Sequence, residues 1–252
     1  MIPNPIHRVL SVMRTSGVQH LLMGGQACIL YGAAEFSRDA DFAIVGDADN
    51  LERLRSALDE VRAEVTAVPP FEGRYLARGH AIHFRCTRPD VNGVRVDVMA
   101  RMRGVAAFPV LWKRRTTLRI GGEDPLDVDL LSLPDLVTAK KTQRDKDWPM
   151  IRRLVEANYF EFRDEPTLER IRFWLRELRT PELLVEVTAM HRAEAETEAS
   201  RAAVACILGD DLDAVPAALA AEEARERELD RTYWAPLRSE LEKLRRARRR
   251  SE

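Results

Sequence analysis

Asp39 and Asp41 stand one residue apart at the head of an apolar run that ends in Phe42-Ala43-Ile44-Val45, and Gly24-Gly25-Gln26 precedes them. Alternation along an extended strand puts Asp39, Asp41, Ala43 and Val45 on one face and Ala40, Phe42 and Ile44 on the other, so both carboxylates point the same way. Carboxylate oxygens are hard ligands, and Mg2+ takes a few of them while phosphate oxygens and water fill its other octahedral positions. Two same-face aspartates at i and i+2, about 7 Å apart along a strand, can share one or two ions. A third carboxylate on a neighbouring strand would let such a site hold two ions about 3.5–4 Å apart, one activating an attacking oxygen and one steadying a leaving pyrophosphate. Asp97 is the candidate, because in residues 93–99 Val94, Val96 and Val98 share one face while Arg95, Asp97 and Met99 share the other.

The elements that must position these groups follow from the pattern around them. Residues 18–23 form a short apolar run that stops at Gly24-Gly25, and residues 26–34 are compatible with a helix, which predicts strand, tight turn, helix. Gly46-Asp47-Ala48-Asp49 ends the acidic strand, and Leu51, Leu54, Leu58 and Val61 mark the apolar stripe of the next helix. Further strands are expected at residues 64–68, 74–77, 81–86, 93–99, 116–120 and 126–131, with Gly121-Gly122 as a turn between the last two. From Leu133 the pattern is helical, interrupted at Pro149, Pro166, Pro181 and Pro216, each placed near a helix start. The expected architecture is α/β (α+β): a mixed β-sheet core flanked by helices at residues 1–160, then a helical C-terminal region at 161–252, with a soft boundary at 157–163.

Composition sets outer limits. With 252 residues, 45% hydrophobic and 32% charged, the chain can bury a core in one domain or two. A net charge of −1 leaves any attraction to nucleic acid or membrane to local patches. Cys28, Cys86 and Cys206 are far apart and match neither a disulfide framework nor a metal-ligand spacing. No stretch approaches the roughly 20 apolar residues of a membrane span, and the expected location is cytoplasmic, with no membrane partner.

The succession Gly24-Gly25, Asp39-Ala40-Asp41 and Asp97 resembles the signature of the DNA polymerase β-like nucleotidyltransferase superfamily. The resemblance implies a glycine turn that cradles nucleotide phosphates through backbone N–H groups at a helix start. It implies Asp39 and Asp41 as ligands of two Mg2+ ions, and Asp97 as a ligand of the catalytic ion that helps deprotonate an acceptor hydroxyl. It extends to residues 133–140 and to Arg144-Asp145-Lys146-Asp147, which are similar to the AbiEii-like toxin branch, where a lysine is followed by a Lys-Asp pair. Lys140 lies one turn after Leu136 on an apolar stripe and needs a phosphate or carboxylate partner; Asp147 is expected to orient Lys140 or a nearby arginine. The sequence departs from the superfamily at Gly25, where serine is common, at Ala40, where a bulky aliphatic is common, and at Glu35 in place of an arginine. Ser37 is retained, and Arg38 stands in for the phosphate contact. The nucleotide-binding set is therefore Gly24, Gly25, Gln26, Ser37, Arg38 and Lys140, and the resemblance covers residues 18–155.

Outside this set the chemistry thins. His80 and His83, at i and i+3 of an extended segment, face opposite sides, which argues against a shared metal. His7, His20 and His191 are isolated, and Trp112, Trp148, Trp174 and Trp234 are expected in packing roles. Arg101, Arg103, Lys113, Arg114, Arg115 and the run at residues 243–250 could follow an RNA backbone by releasing counterions, or could be solvated surface and a helix end. The expected activity is Mg2+-dependent transfer of a nucleoside monophosphate from an NTP to an acceptor hydroxyl. In the toxin-like branch the acceptor is RNA, such as a tRNA 3′ end, and the partner an antitoxin protein. The alternatives are an antibiotic (aminoglycoside-like) adenylyltransferase and a non-catalytic nucleotide-binding module. An acidic pocket built by the helical part would favour a cationic drug, and a basic rim RNA.

Overall fold

The computed structural model describes residues 4–34, 36–121 and 125–251. Glu35 and Gly122 lie outside the described residues. The chain divides into two compact units, one of residues 1–139 with 233–252 and one of residues 140–232. That line differs from the division after residue 160 expected from composition, since a return of the C-terminal stretch to the first unit leaves no compositional mark.

In the first unit the elements run α1 (Asn4–Thr15), β1 (His20–Met23), α2 (Gly24–Leu30), β2 (Asp39–Ile44), α3 (Ala48–Glu60), β3 (Ala63–Val65), α4 (Gly73–Arg78), β4 (Ile82–Cys86) and β5 (Arg95–Met99). They continue through α5 (Phe108–Lys113), β6 (Thr116–Ile120), β7 (Leu126–Leu130) and α6 (Leu133–Lys140). The described strands form one sheet in the order β3-β4-β5-β2-β1-β7-β6. The sheet is mixed: β2 runs parallel to β5 and β1 to β7, and the other neighbours are antiparallel. The α/β architecture read from the sequence is thus present. One strand is not: residues 74–77 lie within helix α4, which Gly79 ends in the left-handed region at φ +103°. Four residues of mixed character fit either period, and the glycine C-cap decides for the helix. The strand expected at 64–68 is shorter, ending at Val65 ahead of a cis Val68–Pro69 bond.

The apolar face of the central strands is closed. Ala40, Phe42, Ile44, Ile82, Val96 and Val98 have no exposed surface, and Phe84 almost none. Helix α1 buries Ile6, Val9, Leu10 and Met13, and α3 buries Leu51, Leu54 and Leu58, the stripe read from the sequence. Asp47 caps α3, its carboxylate accepting from the Asn50 N–H at 2.8 Å. Asn50 in turn is fully buried and joins two strands: its Oδ1 accepts from Gln19 N at 2.7 Å, and its Nδ2 donates to the carbonyls of Gln19 at 3.1 Å and Val45 at 2.9 Å.

The second unit holds α7 (Asp147–Phe162), α8 (Leu168–Glu177), α9 (Pro181–Met190), α10 (Arg192–Thr197), α11 (Ala202–Leu208) and most of the first half of α12 (Val215–Ser251). Pro181 opens α9 and Pro216 is the second residue of α12, positions where the missing N–H would have no intrahelical partner. The core is built on Tyr159 and Trp174, edge to face at 5.1 Å, with Leu154, Leu175, Leu184 and Val187 around them. The Trp174 indole N–H donates to Asn158 Oδ1 at 2.9 Å. Among the described residues no helix is long and apolar enough to cross a membrane.

Replacing Asn50 by alanine removes the side chain that pairs the Gln19 N–H and two carbonyls in a part-buried site. The expected loss is about 2–3 kcal/mol of stability, read as a lower urea midpoint with an unchanged m-value.

Candidate active site

The parallel pairing of β2 with β5 brings the acids together. Asp41 is in register with Asp97, and Asp39 with Arg95. On the far side of β5, His83 of β4 is opposite Asp97 and Arg85 opposite Arg95. Side chains in register across neighbouring strands share a face, so Asp39, Asp41, Arg95, Asp97, His83 and Arg85 form one polar surface backed by the closed apolar one. The adjacency of the Asp97 strand, which spacing alone leaves open, is therefore present.

Within this face Asp97 is the most enclosed acid, its side chain 12% exposed against 41% for Asp39. Arg95 donates to Asp97 Oδ2 at 2.8 Å, and its other terminal nitrogen lies 4.0 Å from Asp39 Oδ2. His83 Nδ1 lies 2.9 Å from Asp97 Oδ1, yet neither of these buried atoms makes a hydrogen bond. His80 lies ahead of β4 and has a different partner, its Nε2 being 2.9 Å from Glu240 Oε2. What sequence gave no sign of is that His83 meets Asp97, because that depends on the register of β4 against β5.

The glycine pair closes the site from the β1 side. Strand β1 passes directly into α2 at Gly24, which holds φ +67°. A Cβ there would fall 1.9 Å from Asp41 Oδ2, and one on Gly25 would fall 2.5 Å from Ser37 Oγ. Neither separation is possible for a real side chain, so both positions need glycine for the backbone to approach Asp41 and Ser37. The expected strand-to-helix turn is present, with a helix of seven residues.

The remaining candidates fall in three places. Gln26 is fully buried and donates from Nε2 to the Ser37 carbonyl at 2.8 Å, so its side chain positions the Ser37 segment. Arg38 is exposed, with its guanidinium 5.5 Å from the ring centre of Phe36, itself 64% exposed. Lys140, in the second unit, has its Nζ 3.3 Å from Asp147 Oδ1, and Asp147 also accepts from Thr142 Oγ1 at 2.5 Å and Arg144 Nε at 2.7 Å. The pairing of Lys140 with Asp147 is the partner that the apolar stripe demanded. Burial alone would push the Asp147 carboxyl up, but Lys140, the Thr142 hydroxyl and Arg144 outweigh it and hold the group below its ordinary value of 3.8.

Oxygen donors on adjacent strands, one of them with a buried oxygen that no hydrogen bond satisfies, match Mg2+ in chemistry. Their side chains do not converge: among the described residues no three His, Cys, Asp or Glu groups are arranged to hold a metal ion. The Arg95 guanidinium lies between Asp97, at 2.8 Å, and Asp39, at 4.0 Å. Of the basic group at residues 101–115, Arg114 is bound bidentately by Asp135 at 2.6 and 2.5 Å, and Arg115 by Asp129 at 3.0 Å, so these two are already neutralised within the fold.

No protein-family model matches the chain. Two solved structures from Helicobacter pylori are similar over most of their length. One, provisionally assigned as a nucleotidyltransferase, has a TM-score of 0.40 at 12% identity and covers 90% of this chain and 94% of its own. The other, JHP933, has a TM-score of 0.39 at 12% identity and covers 93% and 94%. A likeness of this size assigns no role to any residue.

Two outcomes test this geometry. Gly24→Ala should destabilise by about 1–3 kcal/mol in thermal melts, clearly more than Gly93→Ala, which has a similar positive φ but open space around it. For Asp147, a carboxyl depressed in the folded state stabilises above its unfolded pKa, and that contribution disappears as pH falls through the depressed value. The stability gap between wild type and Asp147→Asn should therefore be constant at neutral pH and shrink below pH 3.8, read as urea midpoints at successive pH values.

Proposed function

We propose that the protein is a Mg2+-dependent nucleotidyltransferase that moves a nucleoside monophosphate from an NTP to an acceptor hydroxyl. The observation that carries this reading is Asp41 and Asp97 in register on adjacent parallel strands, with Asp39 on the same face and a glycine pair that admits no Cβ beside them. In this reading Asp39, Asp41 and Asp97 hold Mg2+, which when bound supplies Lewis-acid activation and neutralises the charge of the triphosphate.

The chain's own groups account for the rest. The acceptor oxygen attacks the α-phosphorus and its proton passes to the Asp97 carboxylate; the bond to the bridging oxygen breaks, and pyrophosphate leaves with that electron pair. Asp97 suits this task because it is the most enclosed of the three acids and has an oxygen that no hydrogen bond satisfies. The glycine backbone packs directly against Asp41 at Gly24 and against Ser37 at Gly25, which keeps the helix start beside the acids. Ser37 and Arg38 border the same segment, and Gln26 fixes it. Lys140 is assigned to the nucleotide on resemblance, with Asp147 orienting it.

An RNA acceptor is favoured over a cationic antibiotic by the charge of the helical unit. Its cleft, of about 500 Å³, is lined by Arg152, Arg153, Arg179 and Arg227 against only Asp145 and Glu223, with Trp148 and Pro149. Such a lining repels an aminoglycoside and suits phosphate. An RNA-modifying toxin held by an antitoxin protein is the physiological form of this proposal.

Incubation with each labelled NTP, Mg2+ and total RNA should label an RNA band. Asp41→Ala and Asp97→Ala should each lower the rate at least about a thousandfold, as expected when groups that act only in the transition state are removed. Labelling of a small amine-rich acceptor instead of RNA would overturn the acceptor assignment, and no transfer to either would overturn the enzymatic one.

A further inference from the structure

Two arginines of the helical unit share one acid and are engaged to very different degrees. The side chains of Arg179 and Arg201 are only 6% and 9% exposed, and both donate to Glu222. Arg201 is fully committed. Its Nε gives to Glu222 at 3.0 Å, and its terminal nitrogens give to the Leu175 carbonyl at 2.8 Å and the Leu178 carbonyl at 2.7 Å. Arg179 carries the same five donors, yet among the described residues its one hydrogen bond is to Glu222 at 2.9 Å, and its buried Nε has no acceptor. A guanidinium taken out of water with most of its donors unmet is costly, and Arg201 shows how the same unit satisfies an arginine that only holds the fold. Arg179 differs from it in lining the cleft of the helical unit, where Arg201 does not.

The other charges of the cleft sort around this one. Arg227 lies 2.5 Å from Asp145 and 2.7 Å from Glu223, so both carboxylates of the lining, which would oppose an anion, are already paired. Arg152 has one exposed pair, with Glu156 at 3.4 Å, and Arg153 is exposed with no acid partner among the described residues. Pro149, Arg152 and Arg153 stand at i, i+3 and i+4 of α7 and share a face. The cleft thus combines an ordered, under-committed guanidinium from the link between α8 and α9 with exposed ones from α7.

We infer that this cleft is a phosphate-binding site of the helical unit, with Arg179 and Arg153 as the groups that take the anion. The arginine fork matches two phosphate oxygens and stays charged at any working pH. At about 500 Å³ the cleft has the size of a small-molecule pocket, so the phosphate enters with the nucleoside attached to it. The site needs nothing from the acid face of the sheet. That the phosphate belongs to an RNA chain rests on the nucleotidyltransferase reading, and a mononucleotide is the other source of the same chemistry.

The test is binding of a fluorescent single-stranded RNA to the full-length protein in EDTA, followed by anisotropy, with AMP and inorganic phosphate as competitors. Arg153→Gln should weaken binding about tenfold, the worth of one charge-assisted hydrogen bond, and lower the slope of log K against log salt by about 0.7, as for one phosphate contact on a single strand. Arg179→Lys keeps a charge beside Glu222 but removes the fork and should weaken binding as much; if circular dichroism shows it unfolded, the exposed Arg153→Gln decides alone. Arg192→Gln removes an exposed charge of α10 outside the cleft and should change nothing. Equal weakening by Arg153→Gln and Arg192→Gln, no weakening by Arg153→Gln, or no binding of RNA or AMP by wild type would overturn the site. An RNA ligand should outcompete AMP by about a hundredfold or more through its added contacts, and equal potency would overturn the assignment to a chain. If RNA binds through the cleft and wild type with Mg2+ transfers no nucleotide to it, the enzymatic reading falls and the site stands. If transfer proceeds and Arg153→Gln leaves the KM for RNA unchanged, the site falls and the enzymatic reading stands.

Discussion

The pairing of β2 with β5 is the constraint on which the rest of the site depends. It is parallel, so the chain must cross between the two strands, and α3, β3, α4 and β4 all lie in that crossover. The register is held by two opposed demands. A slip of one residue would turn Phe42 and Val96 out to the polar face and drive Asp41 or Asp97 into a core where Ile44 and Val98 have no exposed surface. The apolar face thus fixes the position of the acids more firmly than any interaction the acids make, and it tolerates a polar face whose own charges oppose the arrangement.

That opposition is sizeable. Carboxylates on strands roughly 5 Å apart repel by about 3 kcal/mol at an effective dielectric constant near 20. The fold answers it with groups from the same rows of the sheet, Arg95 beside Asp39 and His83 beside Asp97, so that compensation comes from register and not from a separate loop. Gly24 completes the enclosure by removing its side chain where Asp41 needs the space. A site assembled this way is compact because each strand contributes at most two charged residues and a neighbour of opposite sign stands close.

Much of this was legible in the residues. Alternation placed Asp39 with Asp41 and Asp97 with Arg95 on common faces, and the glycine pair marked the turn, since both signals are local and follow from the period of a strand. The apolar stripe on which Lys140 sits implied a partner, and Asp147 is seven residues on. The contact of His83 with Asp97 was not legible, because period two gives a face and never a register. The helix at residues 73–78 was missed because a segment so short satisfies strand and helix patterns alike until the left-handed Gly79 is known. Nor could composition show that residues 233–252 belong with the sheet, as α12 reads as one uninterrupted helix from Val215 to Ser251.

The helical unit handles charge by a different rule. Arg179 and Arg201 are both nearly buried and share the carboxylate of Glu222 at 2.9 and 3.0 Å. Burial would raise that carboxyl, but the two guanidiniums, with Lys141, outweigh it and hold it below its ordinary value. Arg179 also lies 4.6 Å from the ring centre of Trp148, which fixes the plane of its guanidinium. Two cations on one acid leave the cluster positive, and burial keeps it from relaxing into solvent. Arg227 is tied by Asp145 at 2.5 Å and Glu223 at 2.7 Å at the edge of the same cleft. The positive lining there is therefore set by packing, with the side-chain entropy of Arg179 already lost on folding, so an anion entering the cleft meets donors that need not be ordered again. A solvent-exposed arginine carries the same charge without that advantage.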